Sequence, residues 1–261
     1  MDDLLNEFIS DLKSINQLID LIEILKASNS IKVDDDIDAT KYKSIIELHK
    51  KSTECTIPLT ILPGTLFLYL GGRFEYFVKN IFEETCSLIA NLATCYSDLP
   101  REMKKNLIDY TAEVVANPRK YGHADKGIAS FIKNLSKNIN NDDITNINAS
   151  CLSITYENMR ADTLNSLFER IGLKNVLQTI SEQTDLKLCL RITNNDEVNK
   201  FVRKYLNEFM DIRNMIAHPS KGITWPDSEK IRFYLTFFEN IAKALINAVK
   251  LYLVSIEKKA V

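Results

Sequence analysis

The chain has 261 residues, 33 Lys plus Arg against 35 Asp plus Glu, and a formal net charge of −2. At 45% hydrophobic and 26% charged it falls in the ordinary globular range, long enough for one large domain or two small ones. The strongly basic balance of a dedicated nucleic-acid binder is absent, so any RNA contact must rest on a local basic patch or be brief, as suits an enzyme.

Seven glycines and six prolines in a chain rich in Leu, Ile, Lys, Glu and Asn point to helix throughout. Cys55, Cys86, Cys95, Cys151 and Cys189 are scattered, odd in number and without C-x-x-C spacing. The expectation is free thiols in a reducing cytoplasm, with no metal site and no cofactor. Met1-Asp2-Asp3 lacks the basic start of a signal peptide, and no apolar run reaches ~18 residues, so a cytoplasmic protein with no membrane span is expected.

In chain order, Leu4, Leu5, Phe8, Ile9, Leu12, Ile15, Leu18, Ile19, Ile22 and Leu25 recur at helical spacing and predict a helix over 3–27. An acidic turn follows, and Thr40 is placed to cap a second helix to about His49. Asp36, Asp38, Thr40 and Glu47 stand at calcium-loop spacing, but Lys41 replaces the glycine that loop needs, so capping is the preferred reading. Pro58 and Pro63-Gly64 read as a breaker, and an apolar helix is predicted over 64–95. Within it, Gly71-Gly72 costs ~1 kcal/mol each unless another backbone approaches closely. Arg73 and Glu75 are charged groups amid apolar packing, either snorkelling and pairing at the surface or supporting a site.

Helices follow over 99–116 and 125–138, with His123 at a surface turn between them. A flexible polar loop over 138–149 is expected next, and Cys151 to Tyr156 alternates weakly, like a short extended segment. A helix ending at Gly172 precedes another over 174–183. Asn194 or Asn195 then caps a helix that buries Val198, Phe201, Val202, Tyr205, Phe209 and Ile212. A last helix is expected over 227–256, and residues 1–56 read as an N-terminal helical extension packed on a main helical domain, 57–261.

The capped helix carries the chemistry. It ends in Asp211-Ile212-Arg213-Asn214-Met215-Ile216-Ala217-His218 before Pro219, which disfavours helix in the residue preceding it. At about 100° per residue, Asn214 and His218 share one face and Arg213 lies about 140° from His218. Met215 and Ile216 point elsewhere and can enter a core. The partial negative charge at a helix C-terminus favours imidazolium at His218, which suits a general acid. The other reading is that Arg213 pairs with Asp211 or Glu208 while His218 caps the helix. No phosphate-binding loop, dinucleotide fingerprint, H-E-x-x-H or G-x-S-x-G offers a competing site.

Arg213-Asn214 through His218 resembles the R-x4–6-H motif of the HEPN superfamily (higher eukaryotes and prokaryotes nucleotide-binding domains), including its polar residue after the arginine. Three stretches are similar to its RiboL-PSP-HEPN branch or the related MAE-type proteins: Phe74-Glu75-Tyr76-Phe77, Asn158 through Leu173, and Tyr205 through His218. Pro219 departs from the glycine often found after the motif histidine, which alters the turn rather than the ligand set. The resemblance, over roughly 60–257, implies an all-α HEPN-type bundle with an irregular insertion around 138–157. It implies a homodimer whose two motifs form a composite cleft. It further implies a metal-independent endoribonuclease in toxin–antitoxin or anti-phage defence, with RNA as substrate and an antitoxin or sensor protein as a candidate partner. Some members are instead catalytically silent interaction modules. Arg213, Asn214 and His218 would be the catalytic set, with Glu75, Asp211 and Arg73 as supporting candidates.

Overall fold

The computed structural model describes residues 1–29, 42–55, 58–122, 127–218 and 224–260. Asp36, Asp38, Thr40, His123 and Pro219 lie outside them. Among the described residues there are eleven α-helices and no strand, an all-α architecture as expected. The helices are α1 (Asp2–Ser28), α2 (Lys43–Glu54), α3 (Pro58–Leu92), α4 (Arg101–Ala116), α5 (Ile128–Asn141), α6 (Ala149–Leu152), α7 (Ala161–Glu169), α8 (Val176–Ser181), α9 (Thr184–Leu190), α10 (Asn195–Ala217) and α11 (Ser228–Ala260). Short 3-10 turns at Tyr96–Asp98 and Pro118–Tyr121 flank α4. No single described helix is long and apolar enough to cross a membrane.

The chain forms two compact units. The first takes Met1–Leu5, Glu75–Met210 and Asn240–Val261, and the second takes Asn6–Phe74 and Asp211–Glu239. The divisions fall inside α1, α3, α10 and α11.

In the first unit, Val78, Ile81 and Phe82 of α3 are buried, as are Leu164, Leu167 and Phe168 of α7, Val198, Val202 and Leu206 of α10, and Ile241 and Leu245 of α11. Phe82 meets Phe168 edge to face at 5.5 Å. Side chains of this size contribute roughly 1.5–3 kcal/mol each on burial. The α7 exit matches expectation: Gly172 sits at φ 94°, with the Leu173 amide donating to the Phe168 carbonyl at 3.2 Å.

The segment after α5 departs from the sequence reading. It is tied down rather than flexible, because two asparagines turn inward. Asn138 Nδ2 donates to the Asp143 and Asn146 carbonyls at 2.6 and 2.9 Å. Asn148 Nδ2 donates to the Phe131 carbonyl at 2.9 Å and to Thr111 Oγ1 at 3.2 Å. Cys151 and Leu152 belong to α6, not to an extended strand. Val114, Cys151 and Ile154 form a small core there beneath Tyr110, Tyr121 and Phe131, and that burial needs one face of a helical turn rather than alternation.

In the second unit an aromatic core joins α1, α3 and α11. Phe74 lies 4.3 Å from Phe238 and 6.3 Å from Phe8, and Phe67 meets Tyr234 edge to face at 5.5 Å. Here α3 begins at Pro58 and carries Pro63 within it, so the expected breaker is instead the first turns of the helix. Gly64 explains the local composition: a Cβ there would stand 2.2 Å from the indole of Trp225. Gly72 needs correction as well. A Cβ on it would meet nothing within 4 Å, so no backbone approaches to offset its helix cost.

Candidate functional site

Asn194 caps α10: its Oδ1 accepts the amides of Asp196 and Glu197 at 2.9 and 3.1 Å. This satisfies two of the orphan N–H groups at the helix start. The other end stops where the proline demands. Ala217 is the last helical residue, and the His218 amide still donates to the Asn214 carbonyl at 3.0 Å.

That last stretch, Asp211 to His218, lies in the second unit. Ile212 and Ile216 are buried and anchor one face. Met215 does not join them. At 54% exposure it stands outward with Asp211 and His218, which are spaced at i, i+4 and i+7. Four residues from Asp211 and three from His218, it must share their side of the helix. Arg213 and Asn214 are half-buried between the two faces.

The surroundings of Arg213 are sparse. Its Nη1 donates to Asn214 Oδ1 at 3.4 Å, a long bond. Its Nε is buried and has no hydrogen-bond partner among the described residues. No carboxylate among the described residues pairs with it, Asp211 and Glu208 included.

Two other arginines of the same unit behave differently. Arg73 donates through Nη2 to Glu7 at 2.6 Å and through Nε to Asp11 at 2.5 Å, both on α1. Arg232 grips Asn16, Asp20 and Glu23 of α1 at 2.5, 2.6 and 2.9 Å. The Ser228 hydroxyl and the Arg232 guanidinium hold the Glu23 carboxyl below the usual carboxylate range. Arg73 thus belongs to the docking of α1.

Glu75 lies in the first unit, where its Oε1 accepts the Met159 amide at 3.2 Å. Sequence reasoning passed over Asn207. Its Oδ1 accepts the Ala161 amide at 3.1 Å, and its carbonyl accepts Arg160 Nη1 at 3.4 Å. Glu75 and Asn207 therefore fix the start of α7 from α3 and α10, joining the three stretches that carry the resemblance. An asparagine two residues after Tyr205 on a half-buried helix face was the only signal for it. Arg170 is the other omission: 6% exposed, it donates to the Leu152 and Ile154 carbonyls at 2.6 Å each. It also lies 3.9 Å from the Tyr110 ring centre, and burial pulls its pKa down.

Among the described residues no group of three or more His, Cys, Asp or Glu side chains is placed to hold a metal ion. An unpaired guanidinium, an amide against it and an exposed imidazole on the same helix end have the means to hold an anion and move a proton beside it.

The model of the family described as RiboL-PSP-HEPN matches residues 3–251. The match begins in α1, upstream of the residues from about 60 that carry the resemblance. None of the curated proteins and none of the solved structures compared matches the chain.

Proposed function

The chain belongs to the RiboL-PSP-HEPN family, and on that premise we propose that it is an endoribonuclease that cleaves RNA without a metal ion, using its own 2′-hydroxyl as nucleophile. The observation that carries this reading is Arg213: a half-buried guanidinium with one long bond and a buried, unpartnered Nε–H. Leaving such a donor unmet costs roughly 1–3 kcal/mol, and a phosphate oxygen would meet it.

In the proposed reaction the 2′-OH gives its proton to His218 and its oxygen attacks phosphorus. The 5′-oxygen leaves and takes a proton from His218 of the partner subunit. The products are a 2′,3′-cyclic phosphate and a 5′-OH. Arg213 neutralises the charge gained by the phosphorane, and Asn214 positions the phosphate or the imidazole. Acid–base help is worth ~10²–10⁴ in rate and a charge clamp about 10²–10³. A composite site in a homodimer lets a chain of net charge −2 cut RNA without a broad basic surface. Outward-facing Met215 beside His218 supplies an apolar contact for the second copy. Glu75 and Asp211 act as supports, a cytoplasmic setting is kept, and the biological frame is toxin–antitoxin or anti-phage defence.

The test is purified protein with total RNA in excess chelator, followed by analysis of the product ends. Cyclic phosphate ends that vanish in His218→Ala and Arg213→Ala support the proposal, and full cleavage in both variants removes it.

A second reading is a catalytically silent module that assembles with an antitoxin or sensor protein. The exposed Met215 in line with Asp211 and His218 favours it, since that stripe would equally serve a protein contact. Growth arrest on expression that disappears with His218→Ala separates the two in favour of the nuclease.

A further inference from the structure

The first unit contains a cavity of about 530 Å³ that the RNA chemistry does not use. Its walls come from the end of α3, the turn before α4, the first turn of α4 and the last turns of α11. Ile89, Leu92, Pro100 and Ile256 give it an apolar side, about half of its lining. The volume lies in the range that holds a small ligand.

Apart from Thr94, whose hydroxyl can donate or accept, its polar side chains share one character. Glu102 is half-buried, and its side chain makes no hydrogen bond or ion pair among the described residues, so its carboxylate offers acceptors only. Tyr252 commits its hydroxyl proton to the Ile171 carbonyl at 2.5 Å. What it turns to the cavity is oxygen lone pairs. Burial and the charge of Glu102 push its pKa up to about 12, so that proton stays in place at neutral pH. Asp98 also lines it, its Oδ2 accepting the Thr94 and Cys95 amides at 3.3 Å. Gly172 keeps the polar corner open. At φ 94° it carries no Cβ, and a Cβ would lie 2.7 Å from the Tyr252 hydroxyl and 3.7 Å from Glu102 Oε2.

A chamber about half apolar, whose charged lining is negative, selects a ligand that is cationic and carries an aliphatic body. An ammonium has three donors and no acceptor. Its rotating donors can take an oxygen of Glu102 and that of Tyr252 together, whereas a planar guanidinium would spend its fork on the two Glu102 oxygens and leave Tyr252 aside. We propose that this cavity is a binding site for an aliphatic primary amine, its ammonium on Glu102 and Tyr252 and its chain against Ile89, Leu92 and Ile256. With Asp98 as a second carboxylate in the lining, a linear diamine fits better than a monoamine.

Calorimetric titration of the full chain with 1,5-diaminopentane, 1-aminopentane and 1-pentanol tests this. The expected result is saturable binding in that order of strength, with the alcohol failing. Glu102→Gln keeps the shape and removes the charge, and should weaken the diamine roughly tenfold or more. Ile256→Lys, in the apolar part of the lining, places a tethered ammonium in the chamber and should abolish binding. It serves also if Glu102→Gln does not fold. No saturable diamine binding at millimolar concentration, alcohol binding as tight as the amine, or undiminished binding in a folded variant each overturns the proposal. RNA cleavage is not a readout, so failure here leaves the nuclease proposal standing.

Discussion

Within the second unit, the side that holds α1 and the end of α10 use the same cation for opposite ends. On the α1 side Arg73 and Arg232 each meet two carboxylates at 2.5–2.9 Å. At the end of α10 Arg213 meets none, and its one bond is 3.4 Å long. Evenly scattered acids would not produce this. Glu7, Asp11, Asp20 and Glu23 recur along α1 and meet Arg73 and Arg232, whereas Arg213 pairs with none of the described carboxylates, Asp211 and Glu208 on its own helix included. The paired guanidiniums hold α1, and the one without a carboxylate is the group proposed to meet a phosphate.

The largest effect that would sharpen this contrast is on RNA cleavage. His218→Ala should lower its rate by ~10²–10⁴ and Arg213→Ala by about 10²–10³. Both should melt within a degree or two of the parent, since neither holds the fold. Next comes Arg170→Met in the first unit. It removes two charged hydrogen bonds of 2.6 Å and strands the Leu152 and Ile154 carbonyls. Loss of about 2–3 kcal/mol in urea unfolding is expected. A neutral outcome would mean that burial of Arg170 is tolerated rather than needed.

Smaller again is Arg232→Ala, expected to lower stability by ~1 kcal/mol or less because its partners are half in water, with the loss shrinking at high salt and cleavage intact. If it abolished cleavage, the division between the two regions would break. The smallest effect is in pH. Glu23 is held below the usual carboxylate range by Ser228 and Arg232. A depressed carboxylate adds stability that is present above its unfolded pKa and is lost as pH falls through the folded one. The parent should therefore lose melting temperature below about pH 4.3 more steeply than Glu23→Gln. Parallel curves would show that the α1 clamp does not titrate.

The legible part of the fold was whatever a helix states locally. Apolar spacing located α1, α3, α10 and α11, Asn194 marked a start, and the Pro after His218 marked a stop. Signals that act across the chain were misread. Pro63 and Gly64 resemble a breaker until Trp225 is known to lie on Gly64. The asparagines before α6 resemble a loose loop until Asn138 and Asn148 are seen binding carbonyls inside. The short α9, Thr184–Leu190, went unpredicted because two turns give too little periodicity to read. Met215 was misassigned since the angle around a helix gives relative facing, not which face is covered. At the site, the residues of the motif could be named from sequence. That Arg213 lacks a carboxylate could not, because Asp211 and Glu208 stand close to it in sequence and only the structure tells that neither pairs with it.

The most direct check measures melting temperature and RNA cleavage on the same preparations of the parent, Arg213→Ala and Arg232→Ala. The account predicts that Arg213→Ala keeps the parent melting curve and loses cleavage, while Arg232→Ala melts slightly earlier and cleaves at the parent rate. An Arg213→Ala protein that cleaves normally, or one whose lost cleavage comes with a lower melting temperature than Arg232→Ala, would contradict it.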